Sequence, residues 1–265
     1  MIKSLFYIFL ILSSVKIYSQ DTLLINAEYI PHTDTTLVFV PSNYNPANSY
    51  PMLFMLHGYS GNYAQWNLII NLDSVAKHDG IIIVCPDGFY DSWYVNSPLR
   101  INSQYEKFFF ENLVPALFQK YNIDKKNIFI TGLSMGGHGA IYLFLHHPDF
   151  FRSAGSTSGI LDITAFPENW SLPKIFGAYT LHQNTWRKNS DISLLNAFKD
   201  KKREFIVDCG TEDFAFNVNK SFYETCLILG VNIKFIASHG AHTKEYWAQS
   251  VIAHLVFFNS QINKK

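Results

Sequence analysis

The stretch Phe129-Ile130-Thr131-Gly132-Leu133-Ser134-Met135-Gly136-Gly137-His138-Gly139-Ala140 constrains this chain more than any other. An apolar, β-branched run, Asn127 to Thr131, enters it and reads as a buried strand. An apolar helical pattern, Ala140 to Leu145, leaves it. Between them lies G-x-S-x-G, Gly132 to Gly136, so the backbone must reverse from strand into helix within a few residues. Such a reversal crowds the backbone around Ser134 and demands neighbours without side chains. It leaves the hydroxyl at the tip and aims the first amides of the next helix at it, the geometry of a nucleophile elbow. A serine between glycines also occurs in plain turns; the strand before it and the helix after it make the pattern selective.

In chain order, Thr22 to Ile30 and Thr35 to Pro41 read as strands of an antiparallel edge hairpin around Pro31-His32-Thr33-Asp34. Pro51 to Leu56 is a strand ending at His57-Gly58-Tyr59-Ser60-Gly61, and a helix follows from Gln65 to Lys77. Ile81 to Cys85, continuous rather than alternating, reads as a central strand. Ser103 with Glu106 three residues on forms a capping-box pattern for a helix to Tyr121, which Pro115 should kink or split. After the elbow and its helix come a short strand within Arg152 to Ser158 and an irregular insertion at about 160–190. A helix over Asp191 to Lys199, a strand over Glu204 to Cys209 and a helix over Asn217 to Leu229 follow. A last strand spans Val231 to Ala237, and a terminal helix runs from Thr243 to Ser260. This alternation predicts an α/β fold, a mostly parallel central sheet with helices on both faces. Ligands of such sheets sit beyond the carboxyl ends of the strands, where every chemistry-bearing loop of this chain falls.

Residues 1–19 do not read as part of the fold. Lys3 carries positive charge, Leu5 to Val15 is apolar apart from two serines, and Ser19 is a small residue before a polar start. This is the pattern of a secretory signal peptide cleaved after Ser19, although Lys16 is atypical and a retained anchor is the alternative. No cysteine near the cut offers a lipid attachment point. Residues 20–265 then form a single catalytic domain, secreted or periplasmic, with no stable membrane insertion. With 21 basic and 21 acidic residues, the formal net charge is zero, which gives no reason to expect a nucleic-acid partner. Cys85, Cys209 and Cys226 are too few for a paired framework and are not spaced as a metal knuckle. Cys85 and Cys209 both end apolar strand-like runs, where burial as a small hydrophobe suits them, with a Cys209–Cys226 disulfide as the alternative. The 23 Phe, 15 Tyr and 5 Trp exceed what a core alone suggests, so some should line a cleft.

A serine hydroxyl attacks only when a base takes its proton, and that base needs a carboxylate to orient it. Downstream of Ser134 the acids at a strand exit are Glu212 and Asp213, after Gly210-Thr211. Asp208 lies inside its strand and suits a structural role. The shorter Asp213 side chain would hold an imidazole more rigidly. His239 and His242 both follow the last strand; His242 can swing over the sheet edge, whereas His239 could bond a loop carbonyl. Two histidines three apart, with no third ligand close by, do not make a metal site. His146 and His147 end a helix and should face solvent, and His138, within the elbow helix, should pack against a neighbouring loop. An oxyanion needs two aimed amides: Met135, next to the serine, and Tyr59, after His57-Gly58. His57 then reads as a loop brace.

The combination of Leu56-His57-Gly58-Tyr59-Ser60-Gly61, Trp93-Tyr94, Tyr105-Glu106, Gly132 to Ala140, His147-Pro148-Asp149-Phe150-Phe151, Gly155 to Gly159 and Cys209-Gly210-Thr211-Glu212-Asp213-Phe214 resembles an esterase family of α/β-hydrolases. That family includes tributyrin, feruloyl and acetylxylan esterases, S-formylglutathione hydrolase and the mycolyltransferases, and the likeness is greatest to the tributyrin esterase branch. The resemblance implies Ser134 as nucleophile, Asp213 as acid, His242 as base and the Tyr59 and Met135 amides as oxyanion hole, with no cofactor and no metal. It implies a serine carboxylesterase acting on short-chain or carbohydrate-linked acetyl or feruloyl esters. Acyl transfer by the same triad and a non-catalytic carbohydrate-binding protein on this fold are the alternatives. It also implies that residues 161–189 wall the substrate site.

Overall fold

The apolar runs that end at Leu56, Cys85 and Cys209 become strands buried on both faces over most of their length. The computed structural model describes residues 20–199 and 203–262; the signal peptide expected over residues 1–19 lies outside the described residues. The strands are β1 (Gln20–Ile25), β2 (Asp34–Phe39), β3 (Tyr50–Leu56), β4 (Ile82–Cys85), β5 (Ile123–Gly132), β6 (Ser153–Thr157), β7 (Glu204–Gly210) and β8 (Asn232–Ser238). They form one eight-stranded sheet in the order β1-β2-β4-β3-β5-β6-β7-β8. β2 runs antiparallel to β1 and β4, and the other neighbours are parallel. This is the α/β-hydrolase fold, and it aligns the carboxyl ends of β3, β5, β6, β7 and β8 along one edge.

Helices cover both faces. On one side α1 (Gln65–Ile69), α2 (Leu72–Asp79) and α10 (Lys244–Ile262) pack Trp66, Leu72 and Phe258 against Leu53, Ile83 and Phe129. On the other lie α3 (Tyr105–Phe108), α4 (Val114–Lys120), α5 (Met135–His146), α6 (Leu172–Phe176), α7 (Tyr179–Lys188), α8 (Asp191–Phe198) and α9 (Phe216–Leu229). Phe109, Phe144 and Phe222 there meet Phe54, Ile130 and Val207. Strand neighbours such as Leu53 and Phe54 thus feed opposite layers, as the period of two requires. Burying each such side chain contributes about 1.5–3 kcal/mol.

Several local expectations are corrected. The helix expected from Gln65 to Lys77 is two helices, because Ile70 is extended (φ −136°, ψ 154°) and the Asn71 side chain accepts from the Ser74 N–H to start α2. The capping box at Ser103 does not form: Gln104 precedes the helix without a side-chain cap. Glu106 is recruited instead by His147 Nε2 (2.8 Å) and Asn96 Nδ2 (3.0 Å). His147 is therefore not free in solvent, and its ring lies 3.9 Å from that of Phe110. Pro115 is absorbed without a break, by a π-helical turn over Phe109–Leu113 that leads into α4. Proline has no N–H to continue an α-helical ladder, and a wider turn accommodates the missing bond. Cys85, Cys209 and Cys226 are all free, buried thiols, so no disulfide joins Cys209 to Cys226. Among the described residues no helix is long and apolar enough to cross a membrane.

Candidate active site

Ser134 stands between β5 and α5 with φ 54° and ψ −117°, a backbone conformation that side chains rarely adopt. Such strain costs about 1–3 kcal/mol and persists only where the surroundings enforce it. Here they do. A Cβ on Gly132 would lie 2.2 Å from the Gly136 carbonyl oxygen, and one on Gly136 would lie 2.3 Å from that of Leu56. The Ser134 N–H donates to Thr157 O of β6 at 3.0 Å, fixing the turn to the neighbouring strand.

The loop after β7 supplies the carboxylate. The Asp213 N–H donates to Gly210 O (3.1 Å), and its Oδ1 accepts from the Ala215 N–H (2.8 Å). The loop after β8 supplies the imidazole. His242 Nδ1 lies 2.9 Å from Asp213 Oδ2 and 3.1 Å from Oδ1, and Nε2 lies 2.9 Å from Ser134 Oγ. A carboxylate only accepts, so Nδ1 carries the proton and Nε2 accepts from the serine hydroxyl. Burial opposes ionisation of the Asp213 carboxyl, but bonds from His242 and Ala215 outweigh it and hold the group below the usual carboxylate range. The Asp213 side chain is fully buried, while His242 keeps 20% of its side chain open to solvent. The arrangement can move a proton from Ser134 to the imidazole while the carboxylate holds its tautomer.

The other candidates fall elsewhere. Glu212 Oε2 accepts the Gly240 N–H at 2.5 Å, and the Glu212 N–H donates to Gly240 O at 3.0 Å. Oε1 pairs with His239 Nδ1 at 2.8 Å. These bonds, that of the Gly240 amide foremost, pull the Glu212 carboxyl down to about 2. Glu212 is thus a clamp on the loop that carries His242, and His239 is exposed. His57 braces the loop after β3: Nδ1 donates to Gly58 O (2.8 Å), and Nε2 accepts from the Gly88 N–H (2.7 Å). That loop abuts the elbow, since a Cβ on Gly58 would lie 3.5 Å from Ser134 Cβ. The amides of Tyr59 and Met135 have no hydrogen-bond partner among the described residues. His138 is sealed in the core, 2.9 Å from Asp191. Asp208 bonds His254 Nε2 at 2.6 Å, a pairing no sequence motif announced. Its traces were a lone histidine in an apolar helix and an aspartate inside a strand. Among the described residues no group of three His, Cys, Asp or Glu could hold a metal ion.

A hydroxyl on an elbow, a carboxylate and an imidazole at the exits of β5, β7 and β8 define a serine hydrolase of the α/β-hydrolase fold. The chain belongs to the esterase family: the family described as "Putative esterase" matches residues 28–258. An acetyl esterase of Caldicellulosiruptor saccharolyticus is 22% identical over 211 residues, 74% of this chain and 78% of that protein. The solved structure of FphF, a fluorophosphonate-binding serine hydrolase of Staphylococcus aureus, superposes with a TM-score of 0.81 at 21% identity, covering 91% of this chain and 98% of its own. A ferulic acid esterase superposes with a TM-score of 0.76 at 26% identity, covering 91% and 97%. S-formylglutathione hydrolases and mycolyltransferases are among the further relatives.

Proposed function

We propose that this carboxylic-ester hydrolase acts through Ser134, His242 and Asp213, on short-chain or carbohydrate-linked esters, outside the cytoplasm. The observation that carries the reading is the unbroken chain from Ser134 Oγ through both His242 nitrogens to Asp213, each link 2.9 Å. Ser134 Oγ attacks the ester carbonyl as His242 Nε2 takes its proton, and Asp213 supports the imidazolium. The amides of Tyr59 and Met135 receive the oxyanion, where charge develops in the transition state. His242 then gives its proton to the departing alkoxide, leaving an acyl-enzyme and free alcohol. Water, deprotonated by His242, attacks the acyl group, and Ser134 is released with its proton restored. Because only a neutral imidazole accepts the Ser134 proton, kcat/KM rises with pH to a plateau.

The export half of the reading rests on the residue pattern of 1–19 alone. Intact mass of protein recovered outside the cytoplasm tests it: a chain beginning at Gln20 supports export, and a retained Met1 overturns it. Activity is tested by profiling nitrophenyl acetate, longer acyl esters, methyl ferulate and acetylated xylan, each with Ser134→Ala as control.

A further inference from the structure

Phe214 follows the acid of the triad, and its ring centre lies 4.5 Å from that of His242, yet 51% of the residue is exposed. It belongs to a cluster. Trp170 lies 5.5 Å from Phe214, and Phe166 lies 5.0 Å from Trp170 and 6.0 Å from Phe214. Trp170 and Phe166 come from the irregular segment between β6 and β7, so that segment reaches back to the reacting atoms.

The backbone that places Trp170 is strained. Trp170 (φ 48°) and Ser171 (φ 60°) are consecutive non-glycine residues in the left-handed region, each costing about 1–3 kcal/mol. Two contacts hold them there. Trp93 Nε1 donates to Trp170 O at 3.1 Å, and Ser171 Oγ lies 3.2 Å from the hydroxyl of Tyr59, the residue whose amide is assigned above to the oxyanion. The first ties the ring cluster to the buried core through Trp93, and the second ties it to the loop after β3 that abuts the elbow. Backbone strain of this kind clusters at ligand sites, and Phe214 adds an apolar ring left half in water against His242.

We propose that Phe214, backed by Trp170 and Phe166, is a stacking platform for a six-membered ring in the alcohol part of the ester. This rests on the role given to His242 above. Its Nε2 hands the proton to the departing oxygen, so the alcohol lies beside the imidazole, and the imidazole lies against Phe214. A flat ring covers the exposed face of Phe214, whereas a two-carbon chain leaves most of it wet. Aromatic rings and the apolar face of a pyranose share this chemistry.

The experiment compares kcat/KM for benzyl acetate, an acetylated methyl xyloside and ethyl acetate, in wild type, Phe214→Leu, Phe214→Trp and Trp170→Ala. Whichever ring ester is the better wild-type substrate identifies the ring as aromatic or sugar. Its selectivity over ethyl acetate should fall about 3- to 10-fold in Phe214→Leu and Trp170→Ala, and persist in Phe214→Trp. Selectivity unchanged in both, even with all rates lowered equally, overturns the platform, leaving Phe214 only a support for His242. A selectivity loss confined to rings on the acyl side, tested with methyl phenylacetate against methyl propionate, overturns the assignment to the alcohol. Absence of turnover of every ester by wild type would instead refute the esterase reading beneath it.

Discussion

The chain builds the same chemical pattern twice, once in the open and once sealed. At the strand exits, Ser134, His242 and Asp213 are linked in a line of hydrogen bonds. Beneath the sheet, Thr131 Oγ1 lies 2.8 Å from His254 Nδ1, and His254 Nε2 lies 2.6 Å from Asp208 Oδ2. Thr131 lies in β5 shortly before Ser134, and Asp208 in β7 shortly before Asp213, so the sealed members sit in the strands and the open ones just beyond their ends. The tautomers are opposite. Nδ1–H faces the carboxylate in the open set, and Nε2–H faces it in the sealed one. Asp208 is further held by Thr157 Oγ1 at 2.7 Å, and Thr157 Oγ1 lies 2.8 Å from Ser250 Oγ. Thr131, His254 and Asp208 have no exposure at all. A hydroxyl, an imidazole and a carboxylate in line therefore do not make a catalyst. On the function proposed above, the strained turn that lifts Ser134 out of β5 makes the difference. The sealed set ties β5, β6, β7 and α10 together, and a fully bonded buried network of this kind rigidifies the core.

The two sets should respond oppositely to mutation. Ser134→Ala should lower kcat by about 10⁴-fold or more with an unchanged unfolding midpoint, and His242→Ala should be about as damaging, Asp213→Ala somewhat less so. Urea unfolding and steady-state kinetics on each variant check this. His254→Ala should instead cost about 3–5 kcal/mol of stability by leaving Asp208 buried without its partner, while the folded fraction keeps its turnover. A His254 variant that is stable but inactive would erase the distinction.

A third pair sharpens the contrast through pH. His138 and Asp191 are sealed together, and burial, opposed by His138, pushes the Asp191 carboxyl from its ordinary 3.8 up to about 6. Between those values the folded chain holds a proton that the unfolded chain has released, so this group's contribution to stability falls as pH rises from about 4 to 6. The Asp213 carboxyl is shifted down, so its contribution is present above the ordinary carboxylate range and fades as pH falls. Asp191→Asn should remove the first trend and Asp213→Asn the second, in unfolding midpoints measured across pH 3–7. The smallest effect is expected at Glu212: Glu212→Gln loosens the Gly240 clamp and should lower kcat about 2- to 10-fold with little change in KM, since it acts only through the His242 loop.

The open set was legible because each of its members follows a strand exit, where position and residue type agree. Ser134 and Asp213 come after largely apolar buried strands, and His242 after the amphipathic last strand. The glycines around Ser134 and the order Ser, Asp, His added the rest. The residues alone favour Asp213 over Glu212 only through its shorter side chain, since both stand in one loop. The structure separates them by giving Glu212 to Gly240 and His239. His254 and Asp208 were illegible as a pair, being partners 46 positions apart with no spacing rule to link a helix to a strand beneath it. Ser103 and Glu106 misled for a related reason: a long-range partner, His147, competes for the carboxylate that a capping box needs. Trp170 was visible only as one more aromatic, because two left-handed residues outside glycine leave no signature in sequence.

The central claim is that Ser134, and not the look-alike hydroxyl of Thr131, is the nucleophile. Treating the folded protein with a fluorophosphonate and mapping the adduct by peptide mass spectrometry tests it most directly. The account requires one adduct, on the peptide bearing Ser134, formed more slowly when His242 is replaced by alanine and absent in Ser134→Ala. An adduct on any other residue together with loss of activity, or wild-type turnover by Ser134→Ala, would contradict it.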